Sequence, residues 1–577
     1  MMRFAPLTLT FLLLIAGPTW AQAPDSEPAL PEITPREIEI RGEYRVVFPS
    51  LERPTLQELQ PRTRVQALPL DDLPSASPLN FRVDALPPLD LSAPPADRGG
   101  SLPVPALLDG MNGFLEGSGG RFTERRVATE LQFPVSTNTS LRLHGDYEGM
   151  RGDTPFAESD ARTAYDSADG GIDLSYRGAS WSLTSTVDGA YDEYDLYALQ
   201  AAASNATESP ARRAYALGTE HTLRIHQGLP LAWTVGYRVH DVETDPLPAL
   251  TQPPATEATT HRFASALDIT FPLAVFDFML EGETEFVGHD GNGAFSGDSR
   301  QGTLYGIARL VDRPGLTVEA GAALMSFVTS QQGPGFDGPT TSTYGAPYGF
   351  VEWMPAADWR FYAEQRPTLT LHTPIDLLHT NPYLSTEADL GGTVHTLNTT
   401  AGTSWSPGPL RVDLYGGVRY SPVRQFFEFG IANATGLYAT LYRESTAWEV
   451  GLDATLQALS PWFGTVAFTY TEGSLADADG LPFVPRASAE ATVGYQFADR
   501  RARVQVHLRG QGPRDLDREG MQSAPGFVGV GLSGDVQVTP NIEFTGYVQD
   551  IGSNNMTEWP GYPRPVARVG GGVRILW

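Results

Sequence analysis

The sequence predicts an all-β protein: a transmembrane antiparallel β-barrel of about 22 strands behind a Pro-rich, mostly extended N-terminal periplasmic segment. Three observations carry this reading. Beyond residue 110, segment after segment alternates apolar and polar residues with period two, the pattern of strands with one face in lipid and one in water. The breaks between those segments alternate short and long. No later stretch reaches the roughly 18 consecutive apolar residues of a transmembrane helix, so strands are left to cross the bilayer.

The elements follow in chain order. Arg3, the apolar run Phe4 to Ala16 and the small residues before Ala23 have the layout of a secretory signal peptide, assigned to residues 1–21 with cleavage after Ala21. Residues 22–109 form a periplasmic leader. It carries 16 of the 47 prolines, a density that blocks both helix and sheet ladders. Its one β-rich patch runs from Glu37 to Phe48. There Ile38, Ile40, Tyr44 and Phe48 are candidate contacts with the sheet edge of a periplasmic protein partner, or with the barrel itself. The barrel is expected over residues 110–577, starting in a glycine-rich first strand between Gly110 and Thr123.

Facing follows from the alternation. Phe276, Phe278, Trp448, Val450, Val504 and Leu508 share faces that lipid would wet, as do Val573 and Ile575. Asp277, Glu281, Glu449, Arg503, Arg509 and Arg574 fall on the opposite faces and are the candidate lumen-lining residues. Short breaks lie near 136–138, 177–180, 227–231 and 272–274 and recur to 540–541. Long Gly/Asp/Ser/Pro-rich stretches lie between them, among them 195–212, 245–258, 372–391 and 474–485. Short turns belong on the periplasmic side and long loops on the outer side. Both ends of the barrel then lie in the periplasm, and the strand number is even.

The last stretch, Val566 to Trp577, places Val569, Val573, Ile575 and Trp577 on one face. It resembles the assembly signal of bacterial outer-membrane barrels, read on Val573, Ile575 and Trp577. The resemblance implies the barrel-assembly machinery as a partner and the outer membrane of a Gram-negative-type bacterium as the location. Tyr420-Ser421-Pro422-Val423-Arg424 leads into a long hairpin, and Ala447 to Asp453 looks like its returning strand. Phe468 to Gly473 looks like the next strand, and Leu481-Pro482-Phe483-Val484-Pro485-Arg486 like the proline-framed start of the one after. With about 22 strands, these segments resemble the TonB-dependent receptor barrel. The resemblance implies a transport conduit or solute-binding receptor. It departs from the family in the leader, where no plug motif is recognisable.

Composition excludes several alternatives. A net charge of −28 opposes nucleic-acid binding. The absence of cysteine removes disulfides, thiolate metal sites and Cys nucleophiles. The ten histidines show no metal spacing, and His144 and His507 read as polar wall residues. Asp290 to Gly293 and Asp477 to Gly480 lack the glutamate of a full calcium loop and read as turns. Asp153, Glu158, Asp160, Asp166 and Asp169 read as a solvated acidic loop, or as ligands for divalent cations that bridge surface lipids. No catalytic, cofactor or metal site emerges, so the chain reads as a non-enzyme with outer-membrane lipid around it. The alternative to a conduit is a structural or assembly barrel that anchors a periplasmic or surface complex through its leader and loops.

Overall fold

The computed structural model describes residues 112–577, apart from parts of the connections between strands, the longest being 154–162, 197–210, 246–256, 332–339 and 430–437. The expected signal peptide and leader, with the candidate contacts Ile38, Ile40, Tyr44 and Phe48, lie outside the described residues, as does any plug. Twenty-two antiparallel strands form one closed barrel, from β1 (Asn112–Gly120) to β22 (Arg568–Leu576). Each strand pairs with its sequence neighbour, and β1 pairs with β22 from Phe114↔Leu576 to Gly120↔Gly570. Closure leaves no strand edge at the point where the chain begins and ends its circuit. No helix among the described residues is long and apolar enough to cross a membrane.

At one rim the connections run from two residues, as at 137–138, to five, as at 226–230. At the other rim they reach 31 residues, at 366–396. The short-turn rim matches the periplasmic side of outer-membrane barrels. The hairpin Leu410–Phe429 with Tyr438–Leu456 is the longest, with a register shift between Ser421 and Arg424. Contrary to the sequence expectation, Leu481 to Arg486 does not start a strand, which begins only at Ala487. Pro482 and Pro485 cannot donate to a ladder, and Phe483 sits at a left-handed φ of 61°. Leu481 and Val484 instead pack with Phe426, Ala447 and Leu475.

The outer wall is apolar between two aromatic levels. Val127, Ile172, Val187, Leu217, Phe263, Phe286, Val450, Val504 and Leu532 are exposed on it. Trp181, Trp353, Trp359, Trp405 and Trp462 gather near the short turns, where Trp359 stacks on Phe361 at 5.8 Å and on Trp405 at 5.9 Å. Along one strand, the outward Trp181 and Tyr191 stand ten residues apart. At ~3.3 Å per residue and a tilt of ~40° this spans about 25 Å, the height of an outer-membrane apolar band. Polar groups that do face lipid satisfy one another. Ser185 bonds His221 at 2.6 Å, Tyr237 bonds His261 at 2.9 Å, and the Trp233 indole donates to Ser265 at 3.1 Å.

The seam between first and last strand is fastened on the inner face. Arg574 donates to Glu116 at 2.7 and 2.9 Å and lies 3.5 Å from Glu543. Higher up, Tyr547 lies across Gly570, where a Cβ would meet its ring within 2.5 Å, and its hydroxyl donates to Glu124 at 2.6 Å. The seam ends on Trp577, which exchanges two backbone hydrogen bonds with Gly113 at 3.0 and 3.1 Å.

Two substitutions on one strand test the facing. Val187→Arg places a charge near the middle of the lipid band and should cost ~2–4 kcal/mol. Thr186→Arg, one residue away on the inner face beside Asp173, should cost far less. Urea unfolding midpoints in lipid vesicles measure both.

Candidate functional site

The inner wall is a lattice of cross-strand ion pairs. Arg126 meets Asp146 at 2.7 Å, Arg309 meets Glu319 at 2.6 Å, Arg360 meets Glu352 at 2.6 Å, and Arg503 meets Asp535 at 2.7 Å. Period-two alternation produces this directly, because each strand turns its charged set inward beside its neighbour's. The sequence-derived candidates lie on this face. Arg503, Arg509 and Arg574 face Asp535, Glu490 and Glu116 respectively. Asp277 lies opposite Arg309, and Glu449 is buried within the wall. Glu281 reaches Arg366, the first residue of a long inward connection. His507 sits between Thr492 and Ser533, and His144 stands beside Asp173. Val573 and Ile575 are exposed on the outer wall.

The inward connection spans 366–396. The sequence pattern predicts one more outer loop for its central part, 372–391; the structure folds the described residues of that stretch into the lumen. The strand before it, Trp359–Gln365, has only seven residues, so the chain leaves the wall early. Arg366 marks the departure. Its guanidinium lies 4.7 Å from the Tyr305 ring centre and 5.8 Å from that of Tyr348, and it pairs with Glu281 at 3.1 Å. The Tyr305 hydroxyl donates to the Pro367 carbonyl at 2.6 Å. Thr368–Leu371 and Gly392–His395 then pair as a small antiparallel hairpin. Leu369, Leu371 and Val394 pack on Val287, Met325, Phe327 and Ala346 of the wall.

The tip is a short helix, Pro374–Thr380. Thr373 caps it and Asp376 completes the capping box, while proline occupies the first turn, where its missing N–H costs nothing. Leu377, Leu378, Tyr383, Leu384 and Leu390 join one buried cluster with Met150, Tyr165, Tyr194, Val242, Ala258, Phe427 and Tyr438. The wall members come from well-separated strands, so the connection crosses the lumen. Phe122 and Phe483 pack against the same cluster, and both hold a positive φ of 61°. Such a conformation costs of order 1–3 kcal/mol and persists only where surrounding contacts enforce it.

Polar anchors fix the tip on both sides. Arg212 is fully buried, donates to the carbonyls of Pro382 at 2.8 Å and Leu384 at 2.9 Å, and bonds Thr244 at 3.0 Å. Tyr194 also donates to the Pro382 carbonyl, at 2.9 Å. Across the lumen, Ser385 donates to the Tyr438 carbonyl at 2.7 Å, and Tyr438 returns a bond to Tyr383 at 3.0 Å. Asp376 lies 3.7 Å from Arg262 and accepts from Thr373. Burial pushes the Asp376 carboxyl up, but Arg262 and the Thr373 bonds outweigh it and hold the group below its ordinary value.

Sequence reasoning misses this element, although a signal is present. Leu377, Leu378, Tyr383, Leu384 and Leu390 are too many large apolar side chains for a solvated loop. The acidic group expected as a loop also needs correction. Asp166 and Asp169 lie within the strand Thr163–Arg177, and Asp153 ends the strand before it. Asp166 is already held by Arg125, Arg151 and Tyr147, so it is no loose ligand for cations. Among the described residues, no cluster of His, Asp and Glu is placed to hold a metal.

Arg212→Ala removes the two charge-assisted hydrogen bonds to the connection, worth about 1.5–3 kcal/mol each. Amide exchange across 374–395 should quicken while the barrel strands stay protected. A pH dependence is expected too. Because the folded Asp376 value is depressed, its contribution to docking is full above the ordinary value of 3.8 and is lost as pH falls through the lowered one. Proteolysis within 372–391 should therefore appear only in acid, and Asp376→Asn should abolish that pH dependence.

No protein-family model matches the chain, and no curated protein matches its sequence. Solved structures do match its fold. The copper transporter OprC aligns with TM-score 0.62 at 13% identity, over 81% of this chain and 80% of its own. The siderophore receptor PirA from Acinetobacter baumannii aligns at 0.61 and 11% identity over the same shares. The FrpB iron transporter from Neisseria meningitidis aligns at 0.61 and 10%, over 82% of each chain. The closed 22-stranded wall thus shares its fold with the barrels of these transporters and receptors.

Proposed function

We propose that this protein is an outer-membrane transport conduit for a small cationic or cation-bearing solute, closed on its outer side by the 366–396 connection. The inward fold of that connection is the observation that carries the reading. A wide barrel must be filled, plugged or open, and here the wall supplies its own filling. A mere anchor for other proteins has no need of an occluded lumen. The similar folds of a copper transporter, a siderophore receptor and an iron transporter support transport.

The charge preference rests on the inner wall. On the strands Leu231–Thr244, Glu257–Pro272 and Phe276–Gly291, the inner face carries Asp268, Asp277, Glu281, Glu283 and Glu285 against Arg238 and Arg262. Carboxylates that outnumber guanidiniums favour cations in a polar pore. The lumen-lining role assigned to Arg503, Arg509 and Arg574 belongs to the same proposal. In it they brace the wall through their carboxylate partners rather than attract solute.

Planar-bilayer conductance tests the closure. The full chain should conduct rarely. A chain with 367–395 replaced by a short Gly-Ser turn should conduct steadily and prefer potassium over chloride. If that chain does not assemble, Arg212→Ala with Tyr194→Phe should give frequent brief openings instead. Equal conductance in full and altered chains would remove the connection as the closure. Asp277→Asn with Glu283→Gln should weaken the cation preference. If conductance is absent throughout and periplasmic proteins co-purify through residues 22–109, the barrel is an anchor.

A further inference from the structure

The outer wall carries a polar group that the conduit does not use. Arg125, Tyr147, Arg151 and Asp166 lie on three adjacent strands near the outer rim. Cross-strand pairing puts Val127 opposite Tyr147, and Arg125 and Asp166 on either side of Gly149. Val127 and Ile172 are exposed on the lipid-facing wall, so the four polar residues share that face. Arg125 and Arg151 each donate to a different oxygen of Asp166 at 2.7 Å. Tyr147 donates to the same carboxylate at 2.6 Å, and its ring lies 5.4 Å beneath the Arg125 guanidinium.

Gly149 makes the arrangement possible. A Cβ there would come within 2.3 Å of the Asp166 oxygen, 2.8 Å of the Tyr147 hydroxyl and 3.2 Å of Arg125. The Asp166 side chain is only 10% exposed, while Arg125 is 52% and Arg151 is 61% exposed. The carboxylate therefore acts as an internal staple, and the guanidiniums turn their remaining N–H groups outward. Asp166 lies two residues beyond Ala168, which pairs with the outward Tyr191, so the fork stands just past the upper aromatic level, at the height of lipid headgroups. Its charge is two guanidiniums against one carboxylate. On the same face Glu193 lies opposite Asp166 and is taken by Arg213 at 3.0 Å, which also holds Asp245 at 3.1 Å; Glu193 and Asp195 act on Arg151 only from a distance, so Arg125 and Arg151 are the guanidiniums open to a ligand.

We propose that Arg125 and Arg151, stapled by Asp166 over Gly149, bind the phosphate of an outer-leaflet lipid headgroup. Planar guanidiniums held in fixed directions suit phosphate oxygens, and preorganisation lowers the entropy lost on binding. The inference is independent of any transport activity.

The test uses the full chain, purified in mild detergent and stripped of lipid. It is then mixed with micelles carrying bis-phosphorylated lipid A, with dephosphorylated lipid A, or with inorganic phosphate alone. Native mass spectrometry counts what is retained. The full chain should hold the phosphorylated lipid, and Arg125→Ala with Arg151→Ala should hold about tenfold less. Arg300→Ala, at an exposed residue of another strand, should change nothing. Heat-modifiability checks assembly. If the double variant does not assemble, Gly149→Ala, which keeps both arginines but spreads the fork, should show the same loss. Equal retention of dephosphorylated lipid, or undiminished retention by the variants, overturns the proposal. Binding of inorganic phosphate as strong as that of the lipid overturns the lipid assignment.

Discussion

Lipid offers a backbone no hydrogen-bond partner, and most of this structure follows from that constraint. Every strand must pair on both sides, so the wall must close, and the first and last strands must meet. The seam is where the requirement is hardest to meet. Its strands are short and glycine-rich, with Gly117, Gly119 and Gly120 facing Val573, Gly571 and Gly570 across the ladder. Side chains make up the difference. The Arg574–Glu116 pair, the Tyr547 hydroxyl on Glu124 and the backbone exchange between Trp577 and Gly113 join strands far apart in sequence. A buried ion pair is a weak source of net stability, but leaving one partner behind is costly, so such pairs penalise a shifted register.

Closure creates a second problem. Twenty-two strands enclose more space than wall side chains can fill. In the outer half the solution is dry: leucines and tyrosines from 377–390 meet Met150, Val242 and Phe427. Elsewhere the inner face is charged, and its carboxylates and guanidiniums satisfy one another laterally. The two regions have different consequences. The paired wall is rigid and redundant, because most charges have a neighbour in reach. The dry crossing depends on a few directed bonds, above all those of Arg212, to loop carbonyls that have no regular partner.

Much of the barrel is legible in the sequence because its two signals are local and repeated. Alternation fixes the facing of Phe276, Trp448 and Val504 opposite Asp277, Glu449 and Arg503. The rhythm of short and long breaks orients the strands. The errors share one cause, which is that a break in period two does not say where the chain goes next. Residues 372–391 and 481–486 look like an outer loop and a strand start, yet the described residues of both turn inward, because tertiary burial of Leu377, Leu384, Leu481 and Phe483 decides their course. Asp166 misleads for the opposite reason. A strand that runs past the apolar band carries polar residues on its outer face, and composition alone makes such a segment look like a loop. No local pattern announces that Arg125, Arg151 and Asp166 converge, since three strands must align to bring them together.

The early departure of the chain at Arg366 also matters for the membrane. The seven-residue strand Trp359–Gln365 rises only about 18 Å at the usual rise and tilt, below the roughly 25 Å of the apolar band. Trp359, Phe361 and Trp405 anchor its lower end at the periplasmic interface. The shortfall therefore falls in the outer leaflet. Beside this sector acyl chains meet a low parapet rather than a full-height wall, and mismatch of this kind thins or tilts the adjoining lipid. The barrel thus presents a lopsided boundary to its bilayer, with a preferred side for neighbours that favour thin membrane, set by the same few residues that send the chain across the lumen.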